Sequence, residues 1–361
     1  MTGTGSLRRA LPLAALIVLL AAAPGYAFDD TGLPPSGGKG SGGKGSGDSG
    51  GNLEAIAQGY RLTYPTGRPS GASRPLASVN VNWAPPPCWF GPKYTPEQFK
   101  AEYTKNFNDE LPQVHGTFRT AMGMDRDHYQ NGLDYPGGDK GYKDFNSAEA
   151  GKGMWWLVTV NPDADPSAQM GCNDQTPRWV PNGQMPPAGT GHVITPEMLS
   201  KLAFAHTHVP GVRIVTNPAG PQTVNIPTWV TLRQAYTPVK VRASVDLGGG
   251  REIWAETTAE PSAVHITPGT SDATVFPSSG DCPIGPDGKV GAAYNGDPKA
   301  APPCGVTYLR STQNTPPYQL NVSVNWHVSW TGSSGGPYAL PDGRVGDPRE
   351  VTVREIQTIN N

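Results

Sequence analysis

Apolar and polar residues alternate without a break from Tyr318 to Trp330. Tyr318, Leu320, Val322, Val324, Trp326, Val328 and Trp330 are apolar, and Gln319, Asn321, Ser323, Asn325, His327 and Ser329 between them are polar. Strand side chains alternate faces, so the run predicts an antiparallel strand with one face on a core and the other in water. Strands seldom exceed about 10 residues, so this length predicts a bend, a bulge or an overhang beyond its neighbours. Val239, Val241, Ala243 and Val245 alternate in the same way, Leu247-Gly248-Gly249-Gly250 supplies a hairpin turn, and Arg251 to Thr258 returns. Ser262 to Ile266, Val306 to Arg310 and Glu350 to Ile359 complete six or seven strands, the number in an immunoglobulin-like sandwich.

The preceding part is mixed. Val79, Val81 and Trp83 alternate as a strand does. Thr95-Pro96-Glu97-Gln98 starts a helix, with Thr as cap, Pro at the first helical position and Glu at the positive end. Phe99, Tyr103 and Phe107 then share one face. The same device recurs at Thr195-Pro196-Glu197-Met198, followed by Leu199, Leu202 and Ala203, with Pro210-Gly211 as the expected stop. Gly153 to Val160 predicts a buried strand carrying Trp155 and Trp156, and Met122 to Lys152, rich in Gly, Asp and Tyr, predicts a long ordered loop. The expected fold is mainly β: an α+β unit over 53–222, then an antiparallel β-sandwich over 223–361.

The first residues change the picture from fold to compartment. Arg8 and Arg9, the apolar run Leu11 to Ala23 and the small residues of Gly25-Tyr26-Ala27 predict a signal peptide over 1–27. The mature chain is then expected to be secreted, extracellular or cell-wall associated, and not membrane-spanning after cleavage. Residues 28–52 are read as a disordered linker of Gly, Ser, Lys and Asp. Gly40-Ser41-Gly42-Gly43-Lys44-Gly45 mimics a dinucleotide fingerprint, and Gly43-Lys44-Gly45 falls one residue short of a phosphate loop. Both motifs work only between a strand and a helix, so no nucleotide and no cofactor is expected. With 46 Gly and 39 Pro in 361 residues and only 16% charged, the chain suits loop-rich β structure rather than helical bundles. A net charge of −2 gives no reason to expect nucleic acid. Cys88, Cys172, Cys282 and Cys304 form an even set for an exported chain, with three possible pairings. Cys88–Cys172 with Cys282–Cys304 keeps each bridge inside one expected unit. Without a C-x-x-C pair, zinc is not expected.

Several short runs resemble exported actinobacterial proteins of unknown function. They are Asn225-Ile226-Pro227-Thr228-Trp229-Val230, Ala259-Glu260-Pro261-Ser262-Ala263-Val264, Cys304-Gly305-Val306-Thr307-Tyr308 and Val324-Asn325-Trp326-His327-Val328-Ser329-Trp330-Thr331-Gly332. Pro85-Pro86-Pro87-Cys88-Trp89-Phe90 and Tyr94-Thr95-Pro96-Glu97 are similar to the N-terminal segment of that family. Its C-terminal half is similar to polycystic-kidney-disease (PKD) domains, which are immunoglobulin-like sandwiches. At the PKD turn motif, His265-Ile266-Thr267-Pro268-Gly269-Thr270 keeps a Gly and lacks the aspartates. The resemblance implies export, a binding or structural role, and cysteines at the places of Cys282 and Cys304; it carries over no catalytic residue.

Candidate chemistry is sparse. Asp125, Asp127 and His128, with Asp134 and Asp139, offer carboxylates and an imidazole for acid–base work, but Tyr129 and Gln130 break the calcium-loop pattern. His206 and His208 could offer two imidazoles to a metal, although a histidine in a helix's last turn also suits the helix dipole. Trp89, Trp155, Trp156 and Trp179 could stack on a sugar, yet tryptophans at strand centres belong more often to a core. Two functions follow. One is a non-enzymatic envelope or extracellular binding protein whose partner is a cell-wall polymer or envelope protein, with Asn321, Asn325 and His327 on the contact face. The other is an exported hydrolase of polysaccharide or peptide using carboxylates of the 122–152 segment.

Overall fold

The computed structural model describes residues 59–67, 72–136, 138–172, 175–294, 296–297 and 299–356. The expected signal peptide, linker and glycine motifs lie outside these residues. Along the chain the first strands are β1 (Arg61–Thr63), β2 (Ser73–Pro75), β3 (Ala77–Ser78), β4 (Cys88–Tyr94), β5 (Gly153–Val160) and β6 (Arg178–Pro181). The α-helices are α1 (Pro96–Glu110), α2 (Thr117–Gln130), α3 (Pro166–Gln169) and α4 (Pro196–Ala205). Beyond α4 the described chain is strand and connection: β7 (His208–Pro210), β8 (Ile214–Asn217), β9 (Gln222–Thr223), β10 (Pro227–Leu232), β11 (Val239–Gly248), β12 (Arg251–Thr267) and β13 (Ala273–Phe276). Then come β14 (Asp281–Pro283), β15 (Gly305–Tyr308), β16 (Tyr318–Gly332), β17 (Gly335–Ala339), β18 (Gly343–Val351) and β19 (Val353–Arg354). The protein is mainly β, built of antiparallel sheets with one short parallel pair, β9 with β19.

The alternating run becomes β16, in the middle of an eight-stranded sheet ordered β1-β11-β12-β16-β18-β3, with β14 beside β12 and β17 beside β16. β16 overhangs both long neighbours: it pairs with β18 from Tyr318 to Trp326 and with β12 from Asn321 to Gly332. The irregularity falls in β12, where the register slips between Pro261 and Ala263. Pro261 lacks an N–H, and a bulge there lets the ladder resume, so the two expected strands 251–258 and 262–266 form one strand of 17 residues.

One face of this sheet is covered along its length. Over β16, β18 and the C-terminal half of β12 lies a second sheet, β13-β15-β10-β8. Val230, Val306 and Tyr308 from that sheet meet Val264, Ile266, Leu320, Val324 and Trp326 in a sandwich-like core. The disulfide Cys282–Cys304 fastens the two sheets, since Cys282 lies in β14 and Cys304 precedes β15. α4 packs against β11, β12 and β16, inserting Phe204 and Leu199. Over β11 lies the sheet β4-β5-β6, with Trp89, Phe90 and Trp156 against Val241, Ala243 and Val245. A third core of Phe99, Tyr103, Tyr129, Phe145, Trp155 and Leu157 joins α1 and α2 to β5, with Phe99 stacked on Trp155 at 4.2 Å. Cys88–Cys172 ties β4 to the short helical turn after α3. Both bridges follow the expected pairing. Trp89, Trp155 and Trp156 are buried in these cores, which rules them out as an exposed sugar platform.

The local signals held at the helix starts. Thr95 and Gln98 form a reciprocal capping box, and the Thr195 hydroxyl accepts from the Met198 amide at 3.2 Å. Elsewhere the structure corrects the reading. Val79 and Val81 are 49% and 93% exposed, because no neighbouring strand pairs with 79–83 and only Ala77–Ser78 joins a sheet. The expected loop from Met122 begins inside α2, whose buried side carries Met122, His128 and Tyr129. α4 stops at Ala205, before Pro210, because the chain turns at His206 to pair as β7 with β2. The last long strand is Gly343–Val351 rather than one starting at Glu350. The large sheet also draws on both sides of residue 222: Arg61–Thr63 pairs with Arg242–Ser244, and Ala77–Ser78 pairs with Gly343–Arg344.

Candidate functional site

The polar segment after α1 folds around one carboxylate. α2 places Asp125, His128 and Tyr129 on the side facing α1, and the chain from Asn131 doubles back so that Tyr142 N–H donates to the His128 carbonyl at 2.7 Å. Asp125 is half-buried. Its Oδ2 accepts from the Tyr103 hydroxyl of α1 at 2.9 Å, and its Oδ1 accepts from the Tyr135 hydroxyl. The Tyr135 ring lies flat on the His128 ring, centroids 3.6 Å apart and planes 8° from parallel. His128 Nδ1–H donates to the Leu133 carbonyl at 3.0 Å, which fixes the proton on that nitrogen when the ring is neutral. Burial pushes the Asp125 carboxyl above its ordinary value, opposed by the two tyrosine hydrogen bonds and by His128. Burial also lowers His128 below the usual imidazole value, against the Leu133 hydrogen bond and the nearby aspartates. Desolvation raises the Tyr129 and Tyr135 phenols, so both stay protonated donors.

The other three candidate carboxylates serve the segment differently. Asp127 Oδ1 accepts from Arg126 and from the Asn131 amide, both at 2.9 Å. Asp134 takes Lys140 at 2.7 Å and the Gly141 amide at 3.0 Å, and the Lys140 hydrogen bond holds its carboxyl below the ordinary value. Asp139 accepts from Arg178 of β6 at 3.0 Å. Asp127 and Asp134 pin their own segment, and Asp139 ties it to the three-stranded sheet.

The expected histidine pair behaves as structure. His206 caps α4 with its Nε2 3.0 Å from the Tyr60 hydroxyl, and His208 Nδ1 turns to the His206 carbonyl at 3.1 Å. Among the described residues no three His, Cys, Asp or Glu side chains converge as a metal centre would require.

The outward face of the large sheet carries a more extended polar array. His265 stands directly opposite Asp281 on one side and Ser323 on the other, and Ser323 stands opposite Gly346, so one rung crosses four strands. His265 Nδ1 is 2.8 Å from Asp281 Oδ1, which also receives Asn325 Nδ2 at 3.3 Å. Arg344 Nε donates to Asn325 Oδ1 at 2.7 Å, and His327 Nδ1 pairs with Asp342 at 3.0 Å. Asn321 is exposed beside Gly346. The expected contact residues Asn321, Asn325 and His327 thus share a face. Sequence alternation found these three; their partners Asp281, His265, Arg344 and Asp342 lie on other strands or turns, and only the register brings them in.

Among the described residues no helix is long and apolar enough to cross a membrane. No family model, curated protein or solved structure matches the chain.

Proposed function

We propose that this chain is an exported, non-enzymatic binding protein of the cell envelope or extracellular space, a member of the exported actinobacterial proteins its motifs resemble. In this reading its C-terminal part is an immunoglobulin-like, PKD-like sandwich that presents the outward face of the large sheet to a cell-wall polymer or an envelope protein. The observation that carries the proposal is the array Asp281–His265–Asn325–Arg344 with His327–Asp342. Its side chains are held by one another on a face outside the three cores, so they meet a partner with little loss of rotamer freedom. The two disulfides suit an oxidising compartment. The commitments of Asp125, Asp127, Asp134 and Asp139 to internal partners favour binding over the hydrolase alternative.

The test is retention of the purified, disulfide-intact protein on isolated cell wall and in an envelope extract. Wild type is expected to be retained and captured, and the double variant Asn325→Ala/Arg344→Glu to lose most of that retention. If neither material retains the wild-type protein, the proposal fails.

A further inference from the structure

Asp281, His265 and Ser323 stand directly opposite one another on the outward face, on β14, β12 and β16. Residues opposite each other in an antiparallel pair hold their Cβ atoms about 4.5–5.5 Å apart, close enough for their side chains to interact. The register therefore sets an acid, an imidazole and a hydroxyl in one row, with the imidazole in the middle. His265 Nδ1 is 2.8 Å from Asp281 Oδ1. A carboxylate oxygen only accepts, so Nδ1 carries the proton and Nε2 keeps its lone pair for the β16 side. Asp281 has supports of its own. Its Oδ1 also receives Asn325 Nδ2 at 3.3 Å, and its N–H donates to the Ser279 hydroxyl at 3.2 Å. A carboxylate held in this way fixes both the tautomer and the orientation of the imidazole.

Ser323 is the third member of the row. It is packed closely by its neighbours, yet among the described residues its hydroxyl has no hydrogen-bond partner, and the oxygen is not closed off from solvent. Gly346 of β18 stands opposite it. A Cβ there would lie 2.6 Å from the Ser323 Cβ and 3.1 Å from Asn321 Oδ1, so the glycine is what lets the Asn321 amide lean across beside the serine. That amide also has no partner among the described residues. Ser323 and His265 are not hydrogen-bonded to each other in this structure. Rotation of the serine about χ1 moves its oxygen between staggered positions, and contacts of this kind commonly tighten only when substrate is bound.

We propose that Ser323 is an acyl-accepting nucleophile for carboxylic esters, with His265 as its general base, Asp281 as the positioning residue and the Asn321 amide as the oxyanion donor. Ser323 Oγ adds to the ester carbonyl carbon while its proton passes to His265 Nε2. The bond from that carbon to the alkoxy oxygen then breaks, and the alkoxide takes the proton from His265 and leaves as an alcohol. The acyl group stays on Ser323. A single side-chain donor stabilises an oxyanion less than a set of donors does, which favours esters over amides. The open sheet face admits an ester borne on a polymer. The step takes up one acyl group per chain, a covalent capture added to reversible binding. It uses the proposed contact face without depending on which partner that face holds, so retention and acylation can fail separately.

The probes are a fluorophosphonate, which labels activated serines, and p-nitrophenyl acetate, each applied near neutral pH to the full, disulfide-intact protein. Peptide mass spectrometry of the wild type is expected to place the label on Ser323, and the acetate ester to release a burst of about one nitrophenolate per chain. His265→Ala is expected to slow labelling by roughly a hundredfold or more. Asp281→Asn is expected to slow it by roughly tenfold or more, with Asp281→Glu recovering part of the loss, as a positioning role requires. Thermal melting of each variant separates lost chemistry from lost fold, and the wild-type peptide map needs no variant at all. Absence of label on Ser323 in the wild type overturns the proposal. So does a folded His265→Ala variant that labels as fast as wild type.

Discussion

Asp125 is a carboxyl held half-buried between two tyrosine hydroxyls. Tyr103 and Tyr135 both donate to it, yet burial wins and its carboxyl sits above the ordinary value. The folded protein therefore disfavours the ionised form. The contribution of Asp125 to stability is full below the ordinary carboxylate value and is lost as pH rises through the higher folded value. Asp125→Asn cannot ionise, so its stability, measured by urea denaturation, should vary less than wild type between about pH 4 and 7. Parallel pH profiles would sink this account. Asp125→Leu has the opposite use: it strands both tyrosine hydroxyls and should cost about 1–3 kcal/mol near neutral pH.

Single elements show where close approach replaces side-chain packing. A Cβ on Gly305 would lie 2.1 Å from the Thr228 carbonyl and 2.8 Å from Pro302, so Gly305→Ala must push β15 away from β10. Denaturation should register a loss of at least about 1–3 kcal/mol. Gly123 in α2 has nothing within 4 Å of the same position. Gly123→Ala should instead stabilise by about 0.5–1 kcal/mol, through helix propensity alone. The same contrast explains what the sequence made legible. β16 was readable because each inward residue is apolar and each outward one polar, and α1 and α4 because threonine and proline mark their starts. α2 was hidden because its inward side holds Asp125 and His128, whose partners, the tyrosines and the Leu133 carbonyl, lie elsewhere in the chain. Val79, Val81 and Trp83 carry a strand's alternation without a strand's neighbours, and alternation alone cannot supply a ladder.

Across the whole molecule the two bridges close loops of different size. Cys88 and Cys172 are 84 residues apart, and Cys282 and Cys304 are 22 apart. Loop-closure entropy then predicts that replacing the first pair by alanine costs about 4–5 kcal/mol and the second about 3 kcal/mol, a ranking that denaturation of the two double variants would check. The edges of the large sheet add a second constraint. β1 and β3 belong to the earliest described part of the chain, but they pair with β11 and β18, so residues 223–361 alone would expose two open strand edges. That fragment should aggregate or remain partly unfolded, and a monomeric, cooperatively melting 223–361 would contradict this. There is also a consequence in time. β3 pairs with a strand that lies far later in the chain, Ala77–Ser78 against Gly343–Arg344, so that edge of the sheet stays open until β18 has been made. A protein laid out this way closes its large sheet late, with β1 and β3 held waiting for β11 and β18.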